Sequence, residues 1–365
     1  MSPPENDPLY VTRSIAPPVE EYAVCVDRIF SSRYFTNNGE FVRTLEQGLE
    51  KRLGVPHVAT CANGTLALQL GLHAAGLAGR QVITTPFSYV ASLSALLWEG
   101  CEVIFADIDE ETCCLDPQCV ADRMTEDTAG ILAVHIYGNV CDVEAFEALG
   151  QSTGVPILYD AAQAFGSFYR GKSALAYGDF ATCSTHATKV FHTVEGGFFV
   201  CHTQKAFDTF SLMRACGHVG DRHILPGINA KLSELHAAMG CCLLDRYTEN
   251  IAARKHVSQM YDSLLPSGGL RRPTLRHGLD WNYGYYPVIF DTQGALQRAL
   301  KRMNELNIYP RRYFYPALNT LAYLRHTDSC PVAESLSLRA LCLPLYAELE
   351  ERDVERIAGI IRQSL

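Results

Sequence analysis

The sequence lacks the features that would assign it to several common classes of protein. It has no apolar run approaching the ~20 residues that cross a bilayer as a helix, and no long run of lysine or arginine. Its formal net charge is −9, so bulk charge gives no support to nucleic-acid binding. No G-x-G-x-x-G follows a strand-like segment, which argues against a dinucleotide site of the Rossmann type. We therefore expect neither a membrane protein nor a nucleic-acid-binding protein.

Metal and disulfide frameworks are also poorly supported. The 14 cysteines are scattered over 365 residues, and a chain of that length does not need a disulfide scaffold to fold. Cys114 and Cys119 have no second matching pair, so we predict no metal site. Residues 1–20 contain prolines and acids where a signal peptide would have an apolar core. These observations predict reduced thiols in a cytoplasmic protein.

What the sequence does contain is an alternation of strand-like and helix-like segments between about residue 40 and residue 245. The strand-like segments are 57–60, 81–86, 101–109, 130–138, 155–159, 178–185 and 196–203. This alternation predicts an α/β fold with a mostly parallel sheet flanked by helices, in a large domain over residues 1–245. The composition shifts after residue 245, where helices over 245–265 and 294–307 flank a strand at 285–291. We predict a smaller α+β domain over residues 246–365.

Polar and aromatic residues follow several of these strands. Ligands of open α/β sheets bind beyond the carboxyl ends of the strands, so these residues are the candidate site. They are Asn63, Gly64 and Thr65 at a helix start, Tyr89, Asp160, Gln163, Ser184 and Lys189. A helix start offers N–H groups to a phosphate, and a buried carboxylate keeps a pyridine nitrogen protonated. A lysine amine can hold an aldehyde covalently. Together these groups match the requirements of pyridoxal 5'-phosphate.

Longer stretches make this match more specific. In chain order they are CANGTLAL (61–68), TTPFSYVAS (84–92), VHIYGNVCDV (134–143), YDAAQAFGS (159–167), STHATKVFHTVEGG (184–197) and GINAKLSELHAA (227–238). On these stretches the chain resembles the DegT/DnrJ/StrS family of nucleotide-sugar aminotransferases, which have the aspartate-aminotransferase fold (fold type I). It is most similar to the viosamine-forming (VioA-type) 4-aminotransferases, which carry a TNNG element like residues 36–39 and an HATKVF block like residues 186–191.

The resemblance implies a role for each candidate. Lys189 would bond to the cofactor and move protons, Asp160 would pair with the pyridinium nitrogen, and Gln163 would lie near the phenolic oxygen of the ring. Tyr89 would stack on the ring. The other implied contacts are those of Gly64, Thr65 and Ser184 with the phosphate, with Asn63 where the family commonly has serine, and that of Asn229 with the phosphate from the second subunit of a homodimer. Independently of the resemblance, Lys231, Arg311 and Arg312 are the basic candidates for the substrate diphosphate. His135 and Tyr137 follow the 130–134 strand and are candidates for contacts with the sugar.

The resemblance also implies a reaction. Relatives that dehydrate their sugar carry histidine in place of the lysine, so Lys189 favours transamination. We expect transfer of an amino group from L-glutamate to C4 of a dTDP-4-keto-6-deoxyhexose. Two alternatives remain open: amination at C3 of a dTDP-3-keto-6-deoxyhexose, and a non-catalytic regulator that keeps the fold.

Overall fold

The strands form one large sheet and several small ones. The computed structural model describes residues 8–325 and 328–365. Its strands are β1 (Leu9–Tyr10), β2 (His57–Cys61), β3 (Gln81–Thr84), β4 (Glu102–Phe105), β5 (Thr128–Val134), β6 (Ile157–Asp160), β7 (Phe168–Tyr169), β8 (Lys172–Ser173), β9 (Phe180–Ser184), β10 (Gly197–Cys201), β11 (His218–Val219), β12 (Arg222–His223), β13 (Leu270–Arg271), β14 (Leu279–Asp280), β15 (Tyr286–Phe290), β16 (Ile308–Tyr309) and β17 (Ala340–Leu343).

Helices alternate with the strands of the large sheet and dominate the C-terminal part of the chain. They are α1 (Val19–Ser32), α2 (Glu40–Leu53), α3 (Gly64–Ala74), α4 (Val90–Trp98), α5 (Pro117–Arg123), α6 (Val143–Thr153), α7 (Gln204–Met213), α8 (Glu234–Leu244), α9 (Tyr247–Leu264), α10 (Gln293–Glu305), α11 (Pro331–Arg339) and α12 (Glu351–Ser364). Among the described residues, no helix combines the length and the apolar character needed to cross a bilayer.

The large sheet confirms the predicted α/β fold. Its strand order is β2-β10-β9-β6-β5-β3-β4, and β10 alone runs against its neighbours while the other pairs are parallel. Ile131, Leu132 and Ala133 are consecutive residues of β5, and each is fully buried. A strand that is buried on both faces must be covered by helices on both sides, which explains its continuous apolar sequence.

Helix α2 shows how side chains from distant segments fix an element. Gly54 follows its last residue with φ 66°, a left-handed conformation that ends the helix at the position predicted from the sequence. At the other end, the buried carboxylate of Glu234 accepts hydrogen bonds from the backbone N–H of Phe41 (2.7 Å) and of Val42 (3.3 Å). These bonds satisfy N–H groups that a helix start leaves unpaired.

The C-terminal part of the chain has its own apolar core. Strands β13, β15 and β17 form an antiparallel sheet, and buried residues of α9, α10 and α12 belong to the same core cluster. Strand β1, from the start of the described chain, pairs in parallel with β16 and adds Leu9 to this core. The predicted division near residue 245 coincides with the break between α8 and α9 and stays a prediction.

Candidate active site

One cavity, called the main cavity below because it contains most of the predicted site residues, lies where several parallel strands of the large sheet end. It has a volume of about 370 Å³ and is closed from the other side by residues of the C-terminal part, among them Tyr285 and Tyr313. The residues predicted from the sequence that line it are Asn63, Gly64, Thr65, Tyr89, Asp160, Gln163, Ser184, Lys189 and Arg311. The carboxyl ends of parallel strands meet at one edge of a sheet, which is why residues so far apart in sequence share one cavity.

Asp160 is the last residue of β6 and its carboxylate is buried. Its Oδ2 accepts a hydrogen bond from Ser92 Oγ at 2.7 Å, and its Oδ1 accepts one from the backbone N–H of Ala162 at 3.0 Å. Burial raises the pKa of the Asp160 carboxyl above its ordinary value, although these two bonds and the charge of Lys189 act to lower it. Both of its hydrogen-bond partners among the described residues are neutral groups, so the site favours a cationic ligand group there.

Ser92 was not predicted as part of the site. It lies in the first turn of α4, and its Oγ is 2.9 Å from that of Ser88, so two serine hydroxyls support the carboxylate of Asp160 in series. The only signal in the sequence is that both serines belong to the TTPFSYVAS stretch of the family resemblance.

Lys189 lies on the loop between β9 and β10, and its side chain reaches into the main cavity. Its Nζ donates a hydrogen bond to the hydroxyl of Tyr285 at 3.1 Å. Burial lowers the pKa of the Lys189 amine, but Tyr285 and Asp160 raise it by more, so the pKa stands above its ordinary value. Tyr285 was not predicted as part of the site, because residues 285–291 were interpreted only as a strand.

The start of α3 forms a cradle beside Ser184. The side-chain oxygen of Asn63 accepts a hydrogen bond from the N–H of Leu66 at 2.9 Å and caps the helix, so Asn63 is engaged in the fold itself. The N–H groups of Gly64 and Thr65 belong to the first turn, where a helix has no partner for them. A Cβ on Gly64 would lie 2.8 Å from that of Ser184, so the glycine permits this close approach. Such a cradle suits a phosphate.

We expect Gly64→Ala to weaken the binding of pyridoxal phosphate by about tenfold, which corresponds to the loss of one hydrogen bond to a charged group. The added Cβ would push the helix start away from Ser184 and misplace the N–H groups. Titration of the cofactor-free protein, followed by visible absorbance, measures the affinity. Gly268→Ala is the matched control, because a Cβ there meets open space. Equal affinities in the two variants would contradict a phosphate cradle at Gly64.

Gln163 is held at the cavity wall by the backbone of Tyr137. The N–H of Tyr137 donates to Gln163 Oε1 at 2.7 Å, which leaves the amide nitrogen of Gln163 available to donate toward a ligand. The ring of Tyr137 is buried, does not line the main cavity, and donates its hydroxyl to the carbonyl of Tyr313. Its predicted contact with the sugar therefore has no support in this arrangement.

His135 is a core residue in the structure. Its side chain is fully buried, and its Nδ1 accepts a hydrogen bond from the N–H of Cys141 at 3.2 Å while Nε2 lies 3.2 Å from the carbonyl of Ala174. Burial lowers the pKa of His135 to about 3, so the ring is neutral near pH 7. It does not line the main cavity, and its predicted sugar contact likewise has no support.

The aromatic and basic candidates divide between the cavity and other surfaces. Tyr89 lies on the cavity rim with 58% of its surface exposed, which leaves one face free for a flat ligand. Arg311 lines the cavity, whereas the guanidinium of Arg312 lies 3.4 Å from the ring centroid of Tyr315 and outside it. Only the first of the two arginines is therefore placed to meet a substrate within this chain.

Asn229 and Lys231 lie away from the main cavity of their own chain. Lys231 Nζ donates to Asn229 Oδ1 at 2.7 Å, and Lys231 lines a separate cavity of about 290 Å³ together with Asn37 and His218. Asn229 is exposed. Neither residue lines the main cavity of the same chain, and their predicted roles depend on a second subunit.

The main cavity thus offers the four groups that pyridoxal phosphate requires. They are a lysine amine, a buried carboxylate, an exposed aromatic face and a helix start beside a serine hydroxyl. The model of the DegT/DnrJ/EryC1/StrS aminotransferase family matches residues 19–362. The chain belongs to this family. Members of the DegT family depend on pyridoxal phosphate, and the residues of this cavity fit that cofactor.

Two relatives of known name extend the similarity over the whole chain. The dTDP-4-amino-4,6-dideoxy-D-glucose transaminase of Shigella dysenteriae is 34% identical over 363 residues, which cover 98% of this chain and 99% of that protein. The enzyme of the same name from Escherichia coli is 32% identical and covers 96% of this chain and 97% of its own length. These similarities identify the chain as a pyridoxal-phosphate-dependent sugar aminotransferase.

A solved structure has the same fold. The crystal structure of DesI, determined in the presence of its TDP-sugar product, superposes with a TM-score of 0.93 at 30% sequence identity. The superposition covers 99% of this chain and 94% of that one. The sheet and the cavity described above therefore belong to a fold that is shared with a structurally characterised member of the family.

Proposed function

We propose that this chain transfers the amino group of L-glutamate to C4 of dTDP-4-keto-6-deoxy-D-glucose and so forms dTDP-4-amino-4,6-dideoxy-D-glucose. The observation that carries the proposal is the placement of Lys189 and Asp160 in one cavity. The full-length similarity to two transaminases named for this product supports the choice of sugar and carbon. Use of the product for O-antigen or lipopolysaccharide synthesis, in the cytoplasm, is part of the same proposal.

Different residues of the cavity transfer protons and bind the cofactor. When bound, pyridoxal phosphate supplies an electron sink for the carbon that loses its proton and carries the amino group between the two substrates. Lys189 Nζ removes the proton from Cα of L-glutamate, and in the second half-reaction it delivers a proton to C4 of the sugar. Asp160 keeps a proton on the ring nitrogen through its buried carboxylate.

Arg311 is the basic residue that we propose for the anionic part of the substrates. It lines the cavity near Tyr313, with its guanidinium 6.0 Å from that ring centroid. Both the carboxylate of glutamate and the diphosphate of the nucleotide sugar need a cation, and arginine binds both groups in a bidentate manner. Because the two substrates bind in turn, one arginine can serve both.

A homodimer with shared sites is a further part of the proposal. Asn229 and Lys231 do not line the cavity of their own chain, as expected if they complete the cavity of a second copy. Analytical ultracentrifugation tests the dimer. Mixing Lys189→Ala subunits with Asn229→Ala subunits then tests the sharing, since a mixed dimer would regain one intact site only if Asn229 acts across the interface.

The reaction is tested by incubating the protein with pyridoxal phosphate, L-glutamate and dTDP-4-keto-6-deoxyglucose. We expect a 4-amino-4,6-dideoxyglucose product, identified by mass spectrometry and NMR. A dTDP-3-keto-6-deoxyhexose is the matched comparison, because it differs in the position of the carbonyl. Turnover of the 3-keto sugar alone would move the assignment to C3, and failure of glutamate to change the visible spectrum of the cofactor would exclude L-glutamate as the amino donor.

A further inference from the structure

Tyr285 reaches the amine of Lys189 from the opposite side of the cavity. We propose that Tyr285 is the positioning residue of the proton-transfer step: its hydroxyl holds Lys189 Nζ whenever that amine is not bonded to the cofactor. The two side chains are 96 residues apart in sequence, and the distance between Nζ and the hydroxyl oxygen is 3.1 Å. The inference rests on the proposed function, since only an enzyme that releases and re-engages this lysine needs such a partner.

The backbone around Tyr285 is fixed to the cofactor side of the cavity. The N–H of Gly284 donates to Asn282 Oδ1 at 3.0 Å, and Asn282 Nδ2 donates to the carbonyls of Gln163 and Phe165, both at 2.8 Å. These bonds tie the segment before β15 to the loop that follows Asp160. The phenol therefore has a defined position relative to the residues that would hold the cofactor ring.

Strand geometry points the hydroxyl of Tyr285 into the cavity. Successive residues of an extended segment face opposite sides, and Tyr286, the next residue, is buried in the C-terminal core with its hydroxyl 2.7 Å from Asp262 Oδ1. The ring of Tyr285 contacts the rings of Tyr137 (centroids 6.0 Å apart) and Tyr313 (5.9 Å). Its ring is therefore held between aromatic neighbours while the hydroxyl meets Lys189.

Other ionisable groups surround Lys189 without bonding to its amine. Tyr285 is the one hydrogen-bond partner of Nζ within residues 8–325 and 328–365. The remaining titratable residues that line the cavity are Tyr89, Asp160, Cys183, His186, Glu195, Arg311 and Tyr313. His186 and Glu195 belong to the lysine loop and lie 3.6 Å from each other. Asp160 acts on Lys189 through its charge, whereas Tyr285 bonds directly to its amine.

A phenol is suited to hold an amine that changes its protonation state. A tyrosine hydroxyl accepts a hydrogen bond from an ammonium group and donates one to a neutral amine, so the bond survives the gain or loss of the proton. Burial lowers the pKa of Lys189 and Tyr285 raises it. Removing the hydroxyl should therefore lower the pKa of Lys189, so that a larger fraction of the amine is neutral at every pH.

Competitive acetylation of the cofactor-free protein tests the inference. Trace acetic anhydride is added across neutral to alkaline pH, and the modification of each lysine is read by peptide mass spectrometry. In Tyr285→Phe we expect Lys189 to be acetylated about tenfold faster at neutral pH than in the wild type, from the loss of a hydrogen bond to a charged group. Tyr286→Phe removes the neighbouring hydroxyl outside the cavity and should leave the Lys189 profile unchanged.

The other lysines in the same digest calibrate the labelling. Lys51, Lys205 and Lys301 are exposed, so their profiles should be identical in all variants and correct for differences in reagent between samples. A melting temperature of Tyr285→Phe equal to that of the wild type shows that a change at Lys189 does not come from unfolding. The inference is overturned if Lys189 shows the same profile in the wild type and in Tyr285→Phe. It is overturned equally if Tyr286→Phe produces the same change.

Failure of this inference can be told apart from failure of the proposed function. Acetylation needs neither cofactor nor sugar, so its result stands whether or not the 4-keto sugar is a substrate. In the glutamate half-reaction, the rate for Tyr285→Phe should begin to rise at a lower pH than in the wild type, because the amine of Lys189 becomes neutral at a lower pH. An unshifted half-reaction beside a shifted acetylation profile would overturn the role of Tyr285 in proton transfer.

Discussion

The Lys189→Ala variant is expected to lose amino transfer by at least about 10⁴-fold, because it removes the group that moves protons in both half-reactions. The methyl side chain of alanine leaves the buried Asp160 and the helix start in place, so the cofactor should still bind without a covalent link. Conversion of L-glutamate to 2-oxoglutarate, measured with stoichiometric enzyme, reports the loss. The visible band of the covalently bound cofactor should be absent as well.

Lys205→Ala is the control for this variant. Lys205 is exposed on α7 and does not line the main cavity, so amino transfer should match that of the wild type. If Lys189→Ala retained wild-type turnover, the lysine would not be the reacting amine and the proposed mechanism would be wrong.

The Asp160→Asn variant should slow the glutamate half-reaction by about 10³-fold, a magnitude typical of losing a preorganised charge at a reacting group. The amide is similar in size, but it cannot hold a proton on the ring nitrogen of the cofactor. It would also present an N–H₂ group to either Ser92 or the N–H of Ala162, both of which donate to the carboxylate. Single-turnover spectroscopy with L-glutamate measures the rate directly.

A second aspartate provides the comparison. Asp116 caps α5 by accepting from the N–H of Gln118 at 2.8 Å and lies outside the main cavity. Asparagine caps helices as well as aspartate does, so Asp116→Asn should change neither stability nor rate. Equal half-reaction rates in Asp160→Asn and Asp116→Asn would refute the pairing of Asp160 with the cofactor ring.

The sequence predicted those parts of the fold and site that depend on local pattern. The sequence of β5 is a continuous apolar run because the strand is buried on both faces. Asp160 was predicted because it lies at the end of the next strand of the sheet. Lys189 and Gly64 were found in the same way, one after a strand and one at a helix start. The position of a residue relative to a strand end can be inferred from the sequence, and so these residues could be predicted as site residues.

Contacts between distant side chains could not be predicted in this way. Ser92 meets Asp160 across 68 residues, and Tyr285 meets Lys189 across 96. Nothing in the local pattern of either partner specifies the other. Tyr137 shows a different limit: its φ of 56° is a left-handed conformation, which turns its N–H toward Gln163 and its ring away from the cavity. A side chain near a strand end can therefore point elsewhere when the backbone turns.

The pairing of β1 with β16 has a consequence for synthesis of the chain on the ribosome. Leu9 and Tyr10 are made early, but their partners Ile308 and Tyr309 follow 299 residues later. At typical rates of translation, that separation keeps the first strand without its partner for roughly 15 to 60 s. The carbonyl of Val11 likewise has no partner until Leu345, whose N–H donates to it, has been made. A bulky group attached next to Leu9 would thus lie beside a strand pairing that can form only after residue 309 has been made.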